Sequence, residues 1–173
     1  TETTMTYEVM HGNYSKLPNN TLQKVMHKNL VARGGIKYSK KENEYAETIY
    51  ATMVSPGSKI GDQEKIKPFK ASHTYGSTDV GDVSWVVPTA GLRTATWVPG
   101  TSSHSWQEVA AGGTSIGTKG STLAAKALAN SAVRLFEEPS LIKMAWNEHK
   151  ANIGDHDYQA LLGDREPPLD YRK

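Results

Sequence analysis

The stretch Val83-Ser84-Trp85-Val86-Val87 decides the fold class that the sequence predicts. It is a short apolar run rich in β-branched valine, which is typical of a buried strand. A similar run, Thr94-Ala95-Thr96-Trp97-Val98, follows it and is bounded by Gly91 and by Pro99-Gly100. At the beginning of the chain, residues 3–10 alternate apolar and polar side chains, as a strand with one buried face does. The sequence therefore predicts three strands.

Helices are expected between and after these strands. The first follows the turn Pro18-Asn19-Asn20, and the second starts at a capping box formed by Ser39 and Glu42. The longest helix spans residues 119–136, and its many alanines predict close packing on a sheet. A last helix starts at Pro139, because proline fits the first turn of a helix. Helices interleaved with short buried strands favour an α/β domain with a mixed sheet flanked by helices.

The composition is that of a globular domain without a strong charge bias. The chain has 173 residues, 37% of them hydrophobic, and a net charge of +2 from 20 basic and 18 acidic residues, enough for one core. The mixed charges give no basic face for nucleic acid. The absence of cysteine excludes disulfides and thiolate metal sites, and no apolar run approaches the roughly 18 residues of a spanning helix. We therefore expect a cytoplasmic protein without nucleic-acid or membrane partners.

Two polar segments contain the candidate site residues. Asp79 and Asp82 lie among Gly76 and Gly81, so metal ligation, acid–base catalysis and turn formation all stay open, with turn formation favoured. His104 ends a polar loop after a predicted strand, at a place where α/β sheets bind ligands. Because a zinc site needs three or more protein ligands, His104 is either one ligand of a larger site or an ordinary loop histidine. The remaining histidines considered lack ligand spacing and are expected at the surface: His11, His27, His149 and His156.

Several motifs, taken in order, resemble a known enzyme family. They are Gly76-Ser77-Thr78-Asp79-Val80-Gly81-Asp82-Val83-Ser84-Trp85, Pro99-Gly100-Thr101-Ser102-Ser103-His104-Ser105-Trp106 and Gly117-Thr118-Lys119-Gly120. They are similar to the C-terminal part of the M20 metallopeptidase and amidohydrolase family, and within it to the B-subunit group of aminobenzoyl-glutamate hydrolases. Tyr14-Ser15-Lys16-Leu17-Pro18-Asn19-Asn20 resembles the point where the family's chain returns from its lid domain to its catalytic domain.

The resemblance implies a domain organisation and an activity. Residues 1–17 would end a lid or dimerisation domain, with the last strand of that lid, and residues 18–173 would form the C-terminal portion of a Zn-peptidase-like catalytic domain. Family members cleave an amide bond, here in a small acyl-amino acid such as p-aminobenzoyl-glutamate. They use two divalent metals in each full-length protomer, expected to be Zn or Mn, and a glutamate as general base. The implied assembly is a homodimer or a heterodimer with a related subunit.

The resemblance also implies roles for individual residues. His104 matches the family's last metal ligand. Ser77, Thr78 and Asp79 match a loop that lines the site, and Asp82 would support the same loop.

Other parts of the family's site have no counterpart in this sequence. The earlier ligand motifs, His-x-Asp and Glu-Glu, are missing, because the adjacent pair Glu137-Glu138 follows His104 and stands in the wrong order. We therefore expect the C-terminal fragment of a longer enzyme, with no catalytic residue in the fragment, the general base upstream, and no activity alone. The alternative is a non-catalytic α/β module that binds a ligand or acts as a partner subunit.

Overall fold

The molecule is built from helices. The computed structural model describes residues 2–7, 9–72, 75–162, 166 and 169, and 50% of these residues are helical. The helices are α1 (Asn20–Arg33), α2 (Lys40–Tyr50), α3 (Val80–Val86), α4 (Trp106–Gly112), α5 (Ser115–Glu137) and α6 (Pro139–Ile153), with a 3-10 turn at Asp62–Glu64. Among the residues described, no helix combines the length and the apolar character needed to cross a bilayer.

The helices begin and end at the capping signals in the sequence. Asn19 Oδ1 accepts a hydrogen bond from the backbone N–H of Leu22 at 3.1 Å and caps α1. Gly34, at φ 76°, closes the last turn of α1 in the left-handed half of φ space, where glycine is favoured. Ser39 and Glu42 form the expected capping box of α2. The helices predicted for these segments, for residues 119–136 and for the segment after Pro139 are confirmed, although α5 begins a few residues earlier than expected.

The longest helix, α5, is central, and α1, α4 and α6 pack on it. At its start, Ile116 is buried with Ala46 and Ile49 of α2, Val98 of the preceding loop and Ala111 of α4. We name these five residues the Ile116 cluster. Farther along α5, the helices bury a second set of small and apolar side chains. This set includes Val25, Met26, Ala127 and Ala145.

Glycines let α5 approach its neighbours closely. A Cβ atom at Gly117 would overlap the carbonyl oxygen of Gly112, and one at Gly120 would overlap the carbonyl oxygen of Ala95. Thr94 Oγ1 donates to the carbonyl of Gly120 at 2.9 Å, so residues 94–98 lie along α5. The glycines of residues 117–120 are thus explained by the close packing of α5 on the end of α4 and on residues 94–98.

The α/β expectation is wrong. Within the described residues there is no strand, and therefore neither the mixed sheet nor a last strand of a lid domain. Residues 83–86 belong to α3, and Val87 is its C-cap. Residues 94–98 and the described part of residues 3–10 are irregular, and Glu8 lies outside the described residues. The predicted close packing of the alanines of α5 on a sheet is also wrong, because Ala127 is buried while Ala125, Ala129 and Ala132 are exposed.

The valine run is helical because a short apolar run does not by itself distinguish a strand from a helix. In α3 the small residues Gly81 and Ser84, three positions apart, are buried, while Val83 and Val86 are 50% and 56% exposed. Buried positions therefore recur at the spacing of a helix, and the residues at these positions are small ones and not the valines. The buried face of α3 is therefore one that a search for large apolar side chains overlooks.

Candidate functional site

The segment that contains the predicted site-lining residues packs on the beginning of the chain. The backbone N–H of Leu17 donates to Ser84 Oγ at 2.8 Å, and the indole N–H of Trp85 donates to the carbonyl of Ser15 at 2.9 Å. A Cβ atom at Gly81 would overlap the carbonyl oxygen of Tyr14, so only glycine fits there without movement. The structure therefore brings together two motifs, residues 14–20 and 76–85, that are far apart in sequence.

The four predicted site-lining residues differ in how firmly they are held. Asp82 accepts from the backbone N–H of Tyr14 at 3.3 Å and from the Tyr158 hydroxyl at 3.0 Å. Ser77 Oγ accepts from Asn13 Nδ2 at 3.3 Å.

Among the residues described, the side chains of the other two bond only within their own turn or face the solvent. Thr78 Oγ1 accepts from the backbone N–H of Val80 at 3.3 Å, whereas Asp79 precedes α3, is exposed and makes no side-chain cap. The exposed carboxylate of the segment is thus Asp79, while Asp82 is engaged in holding the chain.

Four aromatic rings contact one another, and we name Tyr14, Trp85, His156 and Tyr158 the Tyr14 cluster. The ring centroid of Tyr14 lies 5.4 Å from that of Trp85 and 5.2 Å from that of Tyr158. The ring centroids of Trp85 and His156 are 4.7 Å apart. Burial, followed by the hydrogen bond to Asp82 and the charge of Asp82, raises the pKa of Tyr158 above its usual value. The phenol therefore stays protonated and keeps donating to Asp82.

A buried histidine of α6 also contacts α3. His149 is only 3% exposed, and its Nε2 lies 2.9 Å from the carbonyl oxygen of Ser84. Since a carbonyl only accepts, this geometry assigns the proton to Nε2. The expectation that His149 lies at the surface is wrong. His149 lies four residues after the buried Ala145, on the same face of α6. This spacing is the feature of the sequence that indicates its burial.

His104 lies in a different part of the molecule from the Tyr14 cluster. Its backbone is in the left-handed region at φ 61°, and its N–H donates to Glu108 Oε2 at 2.7 Å, just before α4. The side chain is exposed, and within the described residues its imidazole has no hydrogen-bond partner. The loop before it is packed through Gly100, whose close approach to Pro56 leaves no space for a Cβ atom. No contact among the described residues joins His104 to the four site-lining residues.

The metal-ligating side chains do not form a complete site in the part of the chain that the structure describes. No group of three histidine, aspartate or glutamate side chains is placed to hold one ion there. An exposed imidazole without a competing hydrogen bond fits the role of one ligand, but zinc sites need at least three protein ligands. His104 can therefore contribute to a metal site and cannot build one by itself.

A set of hydrogen bonds that holds the first turn of α1 was not predicted from the sequence. Glu148 of α6 accepts from the backbone N–H of Asn20 at 2.6 Å and from both the N–H and the hydroxyl of Thr21 at 2.8 and 2.7 Å. Burial alone would raise the pKa of Glu148, but the hydrogen bonds from Thr21 and Asn20 outweigh it and lower the pKa. Buried Asn19 also donates to the carbonyl of Ala145 at 2.9 Å. The Pro18-Asn19-Asn20 turn is thus fixed to α6.

An ion pair between the buried Glu42 and the partly exposed Lys119 joins α2 to α5. Glu42 is 7% exposed and bonds Lys119 Nζ, Ser115 Oγ and the backbone N–H of Ser39. The hydrogen bonds from Lys119, Ser115 and Ser39 lower the pKa of Glu42 to about 2. Burial and then the charge of Glu42 raise the pKa of Tyr38 to about 12. Lys119 therefore has a structural partner beside the Ile116 cluster.

Comparison with known proteins shows that the chain is similar to one component of a hydrolase. The relative is the B subunit of p-aminobenzoyl-glutamate hydrolase from Escherichia coli strain K12, which is 33% identical over 175 aligned residues. The match includes 87% of this chain and 36% of the relative, so the chain spans about a third of that relative's length. The resemblance to the B-subunit group is confirmed. No protein-family model matches the chain, and no solved structure matches it.

Proposed function

We propose that this chain is part of a metal-dependent amidohydrolase of the M20 type that cleaves the amide bond of small acyl-amino acids such as p-aminobenzoyl-glutamate. The single observation that carries the proposal is the 33% identity, over most of the chain, to a hydrolase component whose name gives that substrate. The motifs that resemble the same group, residues 14–20 and 76–85, are in direct contact. In this proposal residues 1–17 belong to the lid domain and residues 18–173 to the catalytic domain.

His104 is the proposed metal ligand. A residue other than glycine in the left-handed region costs conformational energy, and such strain is frequent at functional sites. The bond from its own N–H to Glu108 holds this conformation and leaves the imidazole free of hydrogen bonds within the described residues. A pair of divalent metals, Zn or Mn, would supply polarisation of the scissile carbonyl and a water of lowered pKa. The other ligands and the general base would come from sequence outside this chain.

The segment from Ser77 to Asp82 is proposed to line the substrate site. Ser77, Thr78 and the exposed Asp79 precede the first turn of α3 and offer hydroxyl and carboxylate groups. Asp82 instead fixes this turn to Tyr14 and Tyr158. The chain's own contribution would thus be to orient the substrate and to hold one metal ligand, which agrees with a chain that is inactive alone.

The proposed assembly contains a second polypeptide. The relative is named as the B subunit of its hydrolase, which makes it a component of a larger enzyme. We therefore propose that this chain assembles either with a related partner or with a second copy of the same polypeptide. The proposed location is the cytoplasm.

A second candidate function is a non-catalytic partner module. It is favoured by the incomplete metal site, since no three ligating side chains come together in the described residues. The sequence encoded upstream of Thr1 distinguishes the two functions. The hydrolase proposal expects His-x-Asp and Glu-Glu motifs there, and a polypeptide without them supports the module.

The activity is tested in the complete polypeptide that contains this chain. The substitution His104→Ala should remove bound metal, measured by elemental analysis, and abolish hydrolysis of p-aminobenzoyl-glutamate. The matched control is His11→Ala, which removes another exposed imidazole and should leave both quantities unchanged. Normal metal content and near-normal hydrolysis in the His104 variant would reject the assignment.

A further inference from the structure

A segment near the end of the chain, residues 156–161, packs beside α3. The backbone N–H of Gly12 donates to the carbonyl of Leu161 at 3.3 Å, and the side chain of Leu161 fills the space beside Gly12. In the same segment, the ring of His156 contacts the ring of Trp85, and the hydroxyl of Tyr158 donates to Asp82. Residues 156–161 therefore contact both the beginning of the chain and α3.

Asp82 is where these contacts meet. Its two carboxylate oxygens accept from partners 68 and 76 residues away in sequence, the Tyr14 N–H and the Tyr158 hydroxyl. Hydrogen bonds to a charged group are the stronger ones in proteins. Asp82 lies in the first turn of α3, three residues after Asp79, so a movement of its carboxylate would move this turn.

The helix itself cannot fix that turn. α3 has seven residues, and isolated helices of fewer than about 12 residues are not stable in water. Asp79 gives no side-chain cap. The buried face of α3 is held through Gly81, which packs on Tyr14, and through Ser84, which contacts Leu17 and His149. Thr78 also accepts from the N–H of Val80. To these contacts Asp82 adds the hydrogen bond that joins the first turn to residues 156–161.

We infer that residues 156–161 form a clamp in which Tyr158 is a positioning residue, holding Asp82 and thereby the proposed site-lining residues Ser77, Thr78 and Asp79. The role in positioning rests on the proposed function, whereas the clamp itself rests on the contacts of Asp82. Tyr158 touches Asp82 and the ring of Tyr14, and it acts through them.

The clamp is tested by Tyr158→Phe, which removes the hydroxyl and keeps the ring. The matched control is Tyr45→Phe, because the Tyr45 hydroxyl donates to the carbonyl of Ala110 at 2.9 Å, beside the Ile116 cluster. The first measurement is the indole N–H resonance of Trp85, identified with Trp85→Phe, together with amide hydrogen exchange of residues 80–85. We expect a shifted indole resonance and about tenfold faster exchange in Tyr158→Phe, and neither in Tyr45→Phe.

The second measurement separates the clamp from the proposed function. In the complete polypeptide, Tyr158→Phe should raise KM for p-aminobenzoyl-glutamate severalfold with a smaller change in kcat, since substrate orientation is disturbed and the metal ligand is not. An unchanged indole resonance and unchanged exchange would overturn the clamp. A changed resonance with unchanged KM and kcat would overturn the positioning role. A wild-type polypeptide without hydrolysis would instead reject the proposed function, whatever the resonance shows.

A second variant covers the case in which Tyr158→Phe does not fold. Asp82→Asn keeps the size of the side chain and removes its charge, and it should shift the same indole resonance and accelerate exchange in residues 80–85. An Asp82→Asn protein with the resonance and exchange rates of the wild type would also overturn the clamp.

Discussion

The Ile116 cluster and the Tyr14 cluster are stabilised in different ways. The first joins buried aliphatic side chains of α2, α4 and α5, with the ion pair of Glu42 and Lys119 at its edge. The second joins half-exposed rings and a carboxylate from the beginning, the middle and the end of the chain. Buried aliphatic side chains define the first, whereas aromatic rings and hydrogen bonds between residues far apart in sequence define the second.

The largest expected effect is in the Ile116 cluster. Ile116 is fully buried, so Ile116→Ala should lower the free energy of unfolding by about 2–5 kcal/mol through lost burial and a cavity. Val109→Ala on the neighbouring helix α4 is the control, because Val109 is 77% exposed and its truncation should change little. Urea denaturation followed by circular dichroism measures both. Equal effects of the two substitutions would contradict the assignment of this core.

The next effect is expected at Gly81, where the Tyr14 cluster meets α3. Gly81→Ala places a methyl group against the Tyr14 carbonyl, and overpacking of this kind costs about 1–3 kcal/mol. Gly76→Ala is the control, because apart from its chain neighbours no described residue lies within 4 Å of the new Cβ atom. The Trp85 indole resonance should move only in Gly81→Ala, and the amide resonances around Ile116 should stay in place. A shift spread over both clusters would show that they are not separable.

A comparison of two buried serines sharpens the difference further. Ser84→Ala leaves the buried N–H of Leu17 without its acceptor, which should cost about 1–2 kcal/mol. Ser131→Ala, in α5, removes a hydroxyl that donates to the Ala127 carbonyl of the same helix and accepts from Asn29 Nδ2 of α1. It should cost less, because the side chain of Asn29 is only partly buried and its amide can turn to the solvent. Thermal unfolding of both variants checks the order. A larger loss at Ser131 would mean that the polar contacts of α3 are not important for stability.

The helices could be predicted from the sequence because their signals are local. The Ser39 capping box, the Asn19 cap and Pro139 each act within one turn, and α1, α2 and α6 begin where these residues place them. The strand predicted at residues 83–87 was wrong because Val83 and Val86 were expected to be buried. In α3 the buried residues are Gly81 and Ser84 instead. A short apolar run does not contain the information that separates these two outcomes.

The candidate site was only partly predictable for a related reason. The motifs named Ser77, Thr78, Asp79, Asp82 and His104, and the roles of these residues stay predictions. The partners that hold them came from the structure: Tyr158 lies 76 residues from Asp82, and no local pattern connects the two. His149 was missed because a histidine on a helix gives no sign of burial unless its face is compared with that of its neighbours.

The smallest effect concerns the edge of the Ile116 cluster and depends on pH. The hydrogen bonds from Lys119, Ser115 and Ser39 hold the pKa of Glu42 at about 2, below its usual value of 4.5. A lowered pKa in the folded state gives stability that is present above pH 4.5 and is lost as the pH falls toward 2. Since Lys119 is partly exposed and solvent screens the pair, we expect a loss of about 1 kcal/mol between pH 5 and pH 3. Glu42→Gln should be less stable at pH 7 and should lack this pH dependence, whereas Glu44→Gln, at an exposed position of the same helix, should retain it. Urea denaturation at each pH measures the loss, and an equal slope in Glu42→Gln and the wild type would show that other carboxylates cause the acid sensitivity.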